Sequence, residues 1–194
     1  MSVILQSVNL QSVSLSSVSV PIDPYYSYVQ LLTHFDGTNG STIFTDSSPT
    51  PKVVSARNGA TISTVQSVFG GASMYGTTNS NSGVYTQNAG MRITGDFTIE
   101  FRLRLASVAA GQYFLTSNYV ASASWLWMQT TSTGIMSAYV FGNYIPNSSI
   151  SMVADTWYAI ALTRAGTTRR LFIDGVIAST DSGSAANVQT VDCG

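Results

Sequence analysis

The sequence predicts an all-β protein, a two-sheet antiparallel jelly-roll sandwich with an extended N-terminal arm. From Tyr25 onward, Gly, Asn, Asp and Ser separate short runs in which apolar and polar residues alternate. Many short strands with turns at this spacing are typical of sandwiches and barrels, and no segment keeps a helical period with caps. The 194 residues, 44% of them hydrophobic, are enough for one such domain with a sizeable core.

Residues 1–24 are predicted to form the arm and its linker, and residues 25–194 the jelly-roll domain. Residues 4–18 repeat every five residues, and their apolar positions fit neither the strand period nor the helix period. We expect the arm to lie on a neighbouring subunit, because regularly spaced apolar side chains gain nothing in solvent; a partly disordered tail is the alternative. The predicted assembly contacts are Val3, Leu5, Val8, Leu10, Val13, Leu15, Val18 and Val20.

Residues 97–105 contain the clearest strand of the sequence, because apolar and polar residues alternate there without a fault. We expect the apolar set to be buried and the polar set to lie on the opposite face. The apolar set is Phe97, Ile99, Phe101, Leu103 and Leu105, and the polar set is Thr98, Glu100, Arg102 and Arg104.

Other runs predict further strands with turn signals between them. Asp36-Gly37 closes the first of these strands. Hairpin turns are expected over 132–134 and 165–168, and the last strand is expected to bend at Asp174-Gly175. The predicted strands cover 29–35, 125–130, 135–141, 157–164 and 170–178.

Four stretches of the main domain contain sequence motifs that are typical of one family. They are LLTHFDG (31–37) with FTDSS (44–48), FGGASMY (69–75), GDFTIEF (95–101), and DTWYAIALTR (155–164) with LFIDG (171–175). They resemble the laminin-G-like jelly roll of the concanavalin A-like lectin/glucanase superfamily, although Arg102 and Ala159 replace a common Trp and His. The resemblance runs from about Tyr25 to the C-terminus and is specific for the fold, which hosts lectins, hydrolase domains and inert structural modules.

The resemblance also implies further strands after the 171–175 segment. The chain ends at Gly194, so we expect either a longer natural protein or a gap in the sandwich. A gap would expose a sheet edge, which proteins seldom leave open. The extended arm of another chain is the segment expected to fill it by strand addition.

Residues 23–49 also resemble structural proteins of tailed bacteriophages. This implies a virion protein, either a capsid decoration (cement) protein or a tail-associated adaptor, which forms homo-oligomers and binds other virion proteins. The charged content of only 9% agrees with a surface covered in an assembly. The alternatives are a carbohydrate-binding receptor-recognition module of a tail fibre or spike, with host-surface glycans as ligands, and a fragment of a larger adhesin.

Composition excludes several other classes of function. The 8 basic and 9 acidic residues give a net charge of −1, which leaves no basic footprint for nucleic acid. His34 and Cys193 are the only residues of their types, so neither a disulfide within the chain nor a His/Cys zinc site is expected. The chain has no apolar run of the roughly 18 residues needed for membrane insertion and no pattern of a secretory signal.

Catalysis and metal binding are not expected either. The resemblance implies that glucanases of the superfamily use paired acidic residues on one strand, but Glu100 is the only glutamate here. Its neighbours on the same face are Thr98, Arg102 and Arg104, so we expect it to pair with an arginine. The aspartates are scattered over several loops rather than clustered as calcium ligands. The prediction is a protein without enzymatic activity, cofactor or metal.

One aromatic cluster is the candidate ligand site. Trp125 and Trp127 lie on one face of a predicted strand, and Tyr139 and Phe141 on one face of its partner. Aromatic planes of this kind stack on sugars, so Trp125, Trp127 and Tyr139 form a candidate glycan platform. The alternative is that these aromatics fill the sandwich core or a subunit contact, since the opposite face is apolar as well.

Overall fold

The structure is a computed structural model that describes residues 23–77, 82–86, 92–93, 95–109, 112–116, 126–140, 143–182 and 191–192. The predicted arm contacts between positions 3 and 20 lie outside these residues, as does Trp125. The prediction of an all-β fold is confirmed: beyond a single 3₁₀ turn at Tyr26–Tyr28, the described elements are strands in antiparallel sheets. No helix in this part of the chain has the length and hydropathy needed to span a lipid bilayer.

The strands are numbered in chain order. They are β1 (Ile43–Phe44), β2 (Val54–Arg57), β3 (Thr61–Ser63), β4 (Ser73–Tyr75), β5 (Gly83–Thr86), β6 (Arg92–Ile93), β7 (Phe97–Arg104), β8 (Gln112–Thr116), β9 (Leu126–Thr130), β10 (Met136–Val140), β11 (Asn143–Ile145), β12 (Trp157–Ala165), β13 (Thr168–Ile173), β14 (Val176–Ser182) and β15 (Val191–Asp192).

Two four-stranded sheets form the sandwich. One has the order β11-β10-β9-β8 and is called the β8–β11 sheet; the other has the order β14-β13-β12-β7 and is called the β7–β14 sheet. Their inner faces meet in one hydrophobic core. The largest fully buried side chains of this core are Leu126, Met128, Met136, Val140, Ile145, Met152, Ile160, Leu162, Leu171 and Ile173.

The strand predicted over 97–105 is confirmed as β7, which pairs with β12 from Phe97↔Arg164 to Arg104↔Trp157. Its faces are as predicted, because the alternate apolar side chains pack on the core while Thr98, Glu100 and Arg102 are exposed. Leu105 is buried, but the apolar side chains within β7 are only half-buried. The physical reason is that β7 is the edge strand of the β7–β14 sheet.

Both predicted hairpin turns are confirmed, one between β9 and β10 and the other between β12 and β13. The single bent strand predicted over 170–178 is wrong, because β13 and β14 are two antiparallel strands. Asp174 and Gly175 have φ angles of 51° and 78°, and two successive left-handed residues reverse the chain in a two-residue hairpin. The Asp174 carboxylate also accepts the amide of Ala159 at 2.7 Å, which fixes this turn beside β12.

The regular strand predicted over 29–35 is wrong. Residues in this segment run beside the chain near Asp46, with a single bridge between Thr33 and Asp46. The Asp46 side chain, rather than a backbone carbonyl, accepts the amide of Leu32 at 2.9 Å. Phe35 then turns the chain with a φ of 56°, which a strand does not adopt.

A second, smaller hydrophobic cluster lies in the N-terminal part of the domain. It joins a three-stranded sheet, β1-β2-β5, to the β3–β4 hairpin. Its buried side chains are Phe44, Val54, Ile62 and Ala72. Asp46 organises the loop beside this cluster, since its carboxylate accepts amides from Leu32, Ser48 and Lys52 and the hydroxyl of Ser48.

Arg169 connects the two sheets of the sandwich. It is 5% exposed and lies on the inner face of β13 with Leu171 and Ile173. Its guanidinium donates to the Val140 carbonyl at 3.0 Å and to the Asn143 carbonyl at 3.4 Å, and it forms an ion pair with Asp181. The charge is therefore neutralised within the sheet, and the donors hold the end of β10 and the start of β11.

Candidate functional site

Three aromatic side chains form a line across the β8–β11 sheet. Trp127 lies on β9, Tyr139 on β10 and Tyr144 on β11. The strand register places Trp127 opposite Tyr139 and Tyr139 opposite Tyr144. We call these three side chains the aromatic row.

The aromatic row lies on the outer face of the sandwich. On β9, Leu126, Met128 and Thr130 are buried, whereas Trp127 and Gln129 between them are half-exposed. Since successive side chains of a strand point to opposite faces, the inward position of Leu126 and Met128 requires Trp127 to face outward. The core is therefore built from the opposite face of these strands, and the row does not fill it.

The three rings contact each other. Trp127 and Tyr139 are stacked, with centroids 5.6 Å apart and an interplanar angle of 6°. Tyr144 meets both rings edge-on, at 5.5 Å from Trp127 and 4.9 Å from Tyr139. These separations are typical of favourable aromatic pairs, so a ligand would lie over the row rather than between its rings. Tyr144 is 67% exposed and offers the largest free surface.

A polar side chain accompanies the row on the same face. Gln129 is half-buried and is the next residue after Trp127 on this face of β9. Its register partner Ser137 is buried, so the hydroxyl is not presented to a ligand. The side-chain amide of Gln129 offers both donors and acceptors. The face thus combines aromatic surface with uncharged hydrogen-bonding groups, the usual composition of a small-molecule site.

The strands beneath the row are held by contacts with the other sheet. Arg169 donates to the Val140 and Asn143 carbonyls, the residues that follow Tyr139 and precede Tyr144. After β11, the Ser179 hydroxyl donates to the Pro146 carbonyl at 2.6 Å, and the Ser149 amide donates to the Ala178 carbonyl at 2.8 Å. These bonds fix the positions of Tyr139 and Tyr144 before any ligand arrives.

The turn that sets the β9–β10 register requires Gly134. Its φ is 75°, and a Cβ there would lie 2.1 Å from the Met152 carbonyl oxygen. The Gly134 carbonyl also accepts the Met152 amide at 2.9 Å. A side chain at this position would therefore push the turn away from Met152 and disturb the alignment of Trp127 with Tyr139.

The residues considered for acid–base chemistry are not brought together. Glu100 is exposed on the outer face of β7, on the sheet opposite the aromatic row. Its predicted arginine partners have other contacts, since Arg104 pairs with Asp155 at 2.8 Å and Arg102 lies over the Phe69 ring at 5.5 Å. His34 is exposed. Within the described ranges, no three His, Cys, Asp or Glu residues are grouped as metal ligands.

The structure brings together two of the three residues predicted to form the glycan platform. Trp127 and Tyr139 lie together, and Trp125 lies outside the described residues. Tyr144 was missed, because β11 is only three residues long and gives too little alternation for a strand prediction. One signal in the sequence was the pair Asn143-Tyr144, which follows shortly after β10. A third strand that starts there and pairs with β10 would place Tyr144 beside Tyr139.

The family to which the sequence matches agrees with this fold. A laminin G family model, described as the concanavalin A-like lectin/glucanases superfamily, matches residues 77–192. The binding domain of botulinum neurotoxin DC, solved in complex with SialylT, is 15% identical, with a TM-score of 0.55 over 79% of this chain and 40% of that chain. An S-layer domain-containing protein of Clostridium thermocellum (residues 221–444) is 20% identical, with a TM-score of 0.45 over 79% of this chain and 72% of that chain. No curated protein sequence matches this chain significantly.

Proposed function

Since the chain belongs to the concanavalin A-like lectin/glucanase superfamily, we propose that it is a non-enzymatic carbohydrate-binding module. The observation that carries this proposal is the aromatic row on the outer face of the β8–β11 sheet. A sugar ring has apolar C–H faces and a rim of hydroxyl groups. The exposed ring of Tyr144 suits the apolar face by stacking, and Gln129 suits the hydroxyl rim as donor and acceptor.

The absence of catalysis is part of the proposal. Hydrolysis of a glycosidic bond needs two carboxylates placed across that bond. Glu100 is the only glutamate, and it lies on the β7–β14 sheet, away from the aromatic row. The nearest acidic residue in sequence to the row is Asp155, which is paired with Arg104. A bound sugar would therefore meet stacking and hydrogen-bonding groups without an acid–base pair.

The neurotoxin comparison supports the proposal through the fold only. That binding domain shares the architecture at a TM-score of 0.55 and was solved in complex with SialylT. At 15% identity, no ligand-binding residue is carried over from it. What the comparison adds is that a domain of this architecture has been solved with a ligand bound.

The proposed setting of the module is a virion, where it would serve as a structural protein of the capsid or tail. The resemblance of residues 23–49 to tailed-bacteriophage proteins and the 9% charged content support this setting. In it, the arm contacts of residues 3–20 attach the module to a neighbouring subunit. The aromatic row then serves as the receptor-recognition surface, or as a subunit contact if the protein is purely a decoration protein.

A glycan array with wild-type and Tyr144→Ala protein tests the carbohydrate-binding function. Tyr144→Ala removes the most exposed ring of the row. The matched control is Tyr28→Ala, which removes a ring that is 76% exposed but lies in the N-terminal 3₁₀ turn. We expect reproducible binding that weakens about tenfold, or about 1.4 kcal/mol, in Tyr144→Ala and is unchanged in Tyr28→Ala.

Two results would contradict the proposal. One is an array without reproducible binding. The other is binding that Tyr144→Ala leaves unchanged, which would place the sugar elsewhere. If Tyr144→Ala instead shifts the oligomeric state measured by light scattering, the row is a subunit contact, and the decoration-protein role is favoured.

The assembly role has its own test, the deletion of residues 1–20. The deletion removes all eight predicted arm contacts and leaves the described part of the domain intact. We expect a folded domain by circular dichroism that no longer forms oligomers or enters particles. Assembly equal to that of the full chain would show that attachment lies on the jelly-roll surface.

A further inference from the structure

The two sheets of the sandwich differ sharply in charge. Residues 105–154, which include all four strands of the β8–β11 sheet, contain no Asp, Glu, Lys, Arg or His. The β7–β14 sheet, in contrast, carries charged side chains on each of its four strands. They are Glu100, Arg102, Arg104, Arg164, Arg169, Arg170 and Asp181.

The Arg169 guanidinium, which contacts the strands of the aromatic row, is enclosed. Arg169 approaches β10 and β11 from the inner face, where it is 5% exposed. Its guanidinium bonds to the Val140 and Asn143 carbonyls and pairs with Asp181. A ligand on the outer face would therefore meet the backbone of the sheet, not this cation.

The described groups that do face such a ligand are uncharged. Trp127, Tyr139 and Tyr144 offer aromatic surface, and Gln129 offers an amide. A carboxylate pressed against this surface would lose part of its hydration without gaining a cation, and burying an unpaired charge is unfavourable. Hydroxyl groups lose less on desolvation and regain hydrogen bonds from the amide and the phenol groups.

We infer that the aromatic row selects neutral oligosaccharides and discriminates against acidic ones, such as those ending in sialic acid or a uronic acid. This inference rests on the proposed carbohydrate-binding function and names its ligand class. Selection operates through the lack of a cation beside the row among the described residues, because electrostatic complementarity decides between ligands of similar shape. It also makes the binding of neutral ligands nearly independent of ionic strength, since no charge pair is there to be screened.

The test compares matched pairs of glycans that differ only in a terminal sialic acid or uronic acid. The pairs are first screened on an array. Calorimetry then measures the Kd of the best neutral ligand and of its acidic partner. We expect the neutral member to bind at least about fivefold more tightly, a difference of about 1 kcal/mol. We also expect its Kd to change less than about twofold between about 0.05 and 0.5 M NaCl. Gln129→Arg, which adds a cation beside Trp127, should narrow or reverse the preference and make the binding of the acidic member salt-dependent.

The outcomes separate this inference from the function on which it rests. Acidic glycans that bind as tightly as their neutral partners, with affinity lost in Tyr144→Ala, would overturn the neutral selectivity and keep the carbohydrate-binding function. An absence of glycan binding, or binding unaffected by Tyr144→Ala, would overturn both. If Gln129→Arg unfolds, Gln129→Lys places a cation on a more flexible stem at the same half-buried position and supplies the same readout.

Discussion

The guanidinium of Arg169 on β13 donates a hydrogen bond of 3.0 Å to the carbonyl oxygen of Val140 on β10. This bond crosses the sandwich from the charged β7–β14 sheet to the uncharged β8–β11 sheet. It fixes the strand end next to Tyr139, so one buried cation positions the outer aromatic face. The stability of the sandwich and the geometry of the candidate site are therefore coupled at Arg169.

Arg169→Met should destabilise the protein by about 3–5 kcal/mol, because it leaves Asp181 without its cation in a partly buried place. The Val140 and Asn143 carbonyls lose their side-chain donor as well. The matched control is Arg170→Met, which changes the neighbouring, half-buried arginine on the outer face of β13. Urea unfolding measures both, and similar losses for the two variants would contradict the role given to Arg169.

Gly134→Ala should destabilise the β9–β10 turn by more than about 2 kcal/mol, since it combines a left-handed conformation with a clash. The clash is with the Met152 carbonyl oxygen, 2.1 Å from the added Cβ. Gly166→Ala is the control, because Gly166 also has a positive φ, 58°, but open space around its Cβ. Thermal unfolding should rank the two variants, and an equal effect would mean that the contact with Met152 relaxes freely.

Phe101→Ala should lower the free energy of unfolding by about 2 kcal/mol. Fully buried phenylalanines typically lose about 3–5 kcal/mol. The loss is smaller here because β7 is an edge strand and Phe101 is half-buried. Thr98→Ala, on the exposed face of the same strand, should change the free energy of unfolding by less than about 0.5 kcal/mol. Chemical denaturation distinguishes the two. A larger loss for Thr98→Ala than for Phe101→Ala would mean that the faces of β7 are reversed.

Asp46 should make stability depend on acidic pH. Burial opposes its ionisation, but the amides of Leu32, Ser48 and Lys52 and the Ser48 hydroxyl outweigh burial and lower its pKa below the ordinary 3.8. A carboxyl with a lowered pKa in the folded state stabilises the protein above its unfolded pKa, and this contribution is lost as the pH falls through the folded pKa. Asp46→Asn should therefore cost about 2 kcal/mol at neutral pH, and the difference from wild type should shrink below pH 3.8. A difference that stays constant down to acid unfolding would contradict this account.

Strands and their faces could be predicted from the sequence where the local alternation of apolar and polar residues agrees with the packing of the core. Residues 97–105 alternate cleanly, so the strand and both of its faces could be read from local pattern. The turn at Asp174-Gly175 is a two-residue hairpin and not the expected bend within one strand, and Asp-Gly is among the strongest signals for such a hairpin. Local pattern also failed at 29–35, because a carboxylate distant in sequence, Asp46, takes the backbone amide that a ladder would use.

The candidate site was only partly predictable because it depends on register between strands. Trp127 and Tyr139 could be paired from the hairpin around 132–134. Tyr144 joins them only because β11 pairs with β10 in the register Tyr139↔Tyr144. A three-residue strand carries no periodicity from which that register can be derived. Whether the row faces outward or into the core could be decided only from the packing of the two sheets.

An NMR titration of the indole N–H signals with the best neutral oligosaccharide from the array tests most directly whether the aromatic row binds sugar. The chain has three tryptophans, and Trp127→Phe assigns the signal of the aromatic row. We expect the Trp127 signal and the backbone signals of Tyr139 and Tyr144 to shift in a saturable way, while the Trp157 signal stays in place. Saturable shifts confined to Trp157 or to other parts of the β7–β14 sheet would contradict binding at the aromatic row.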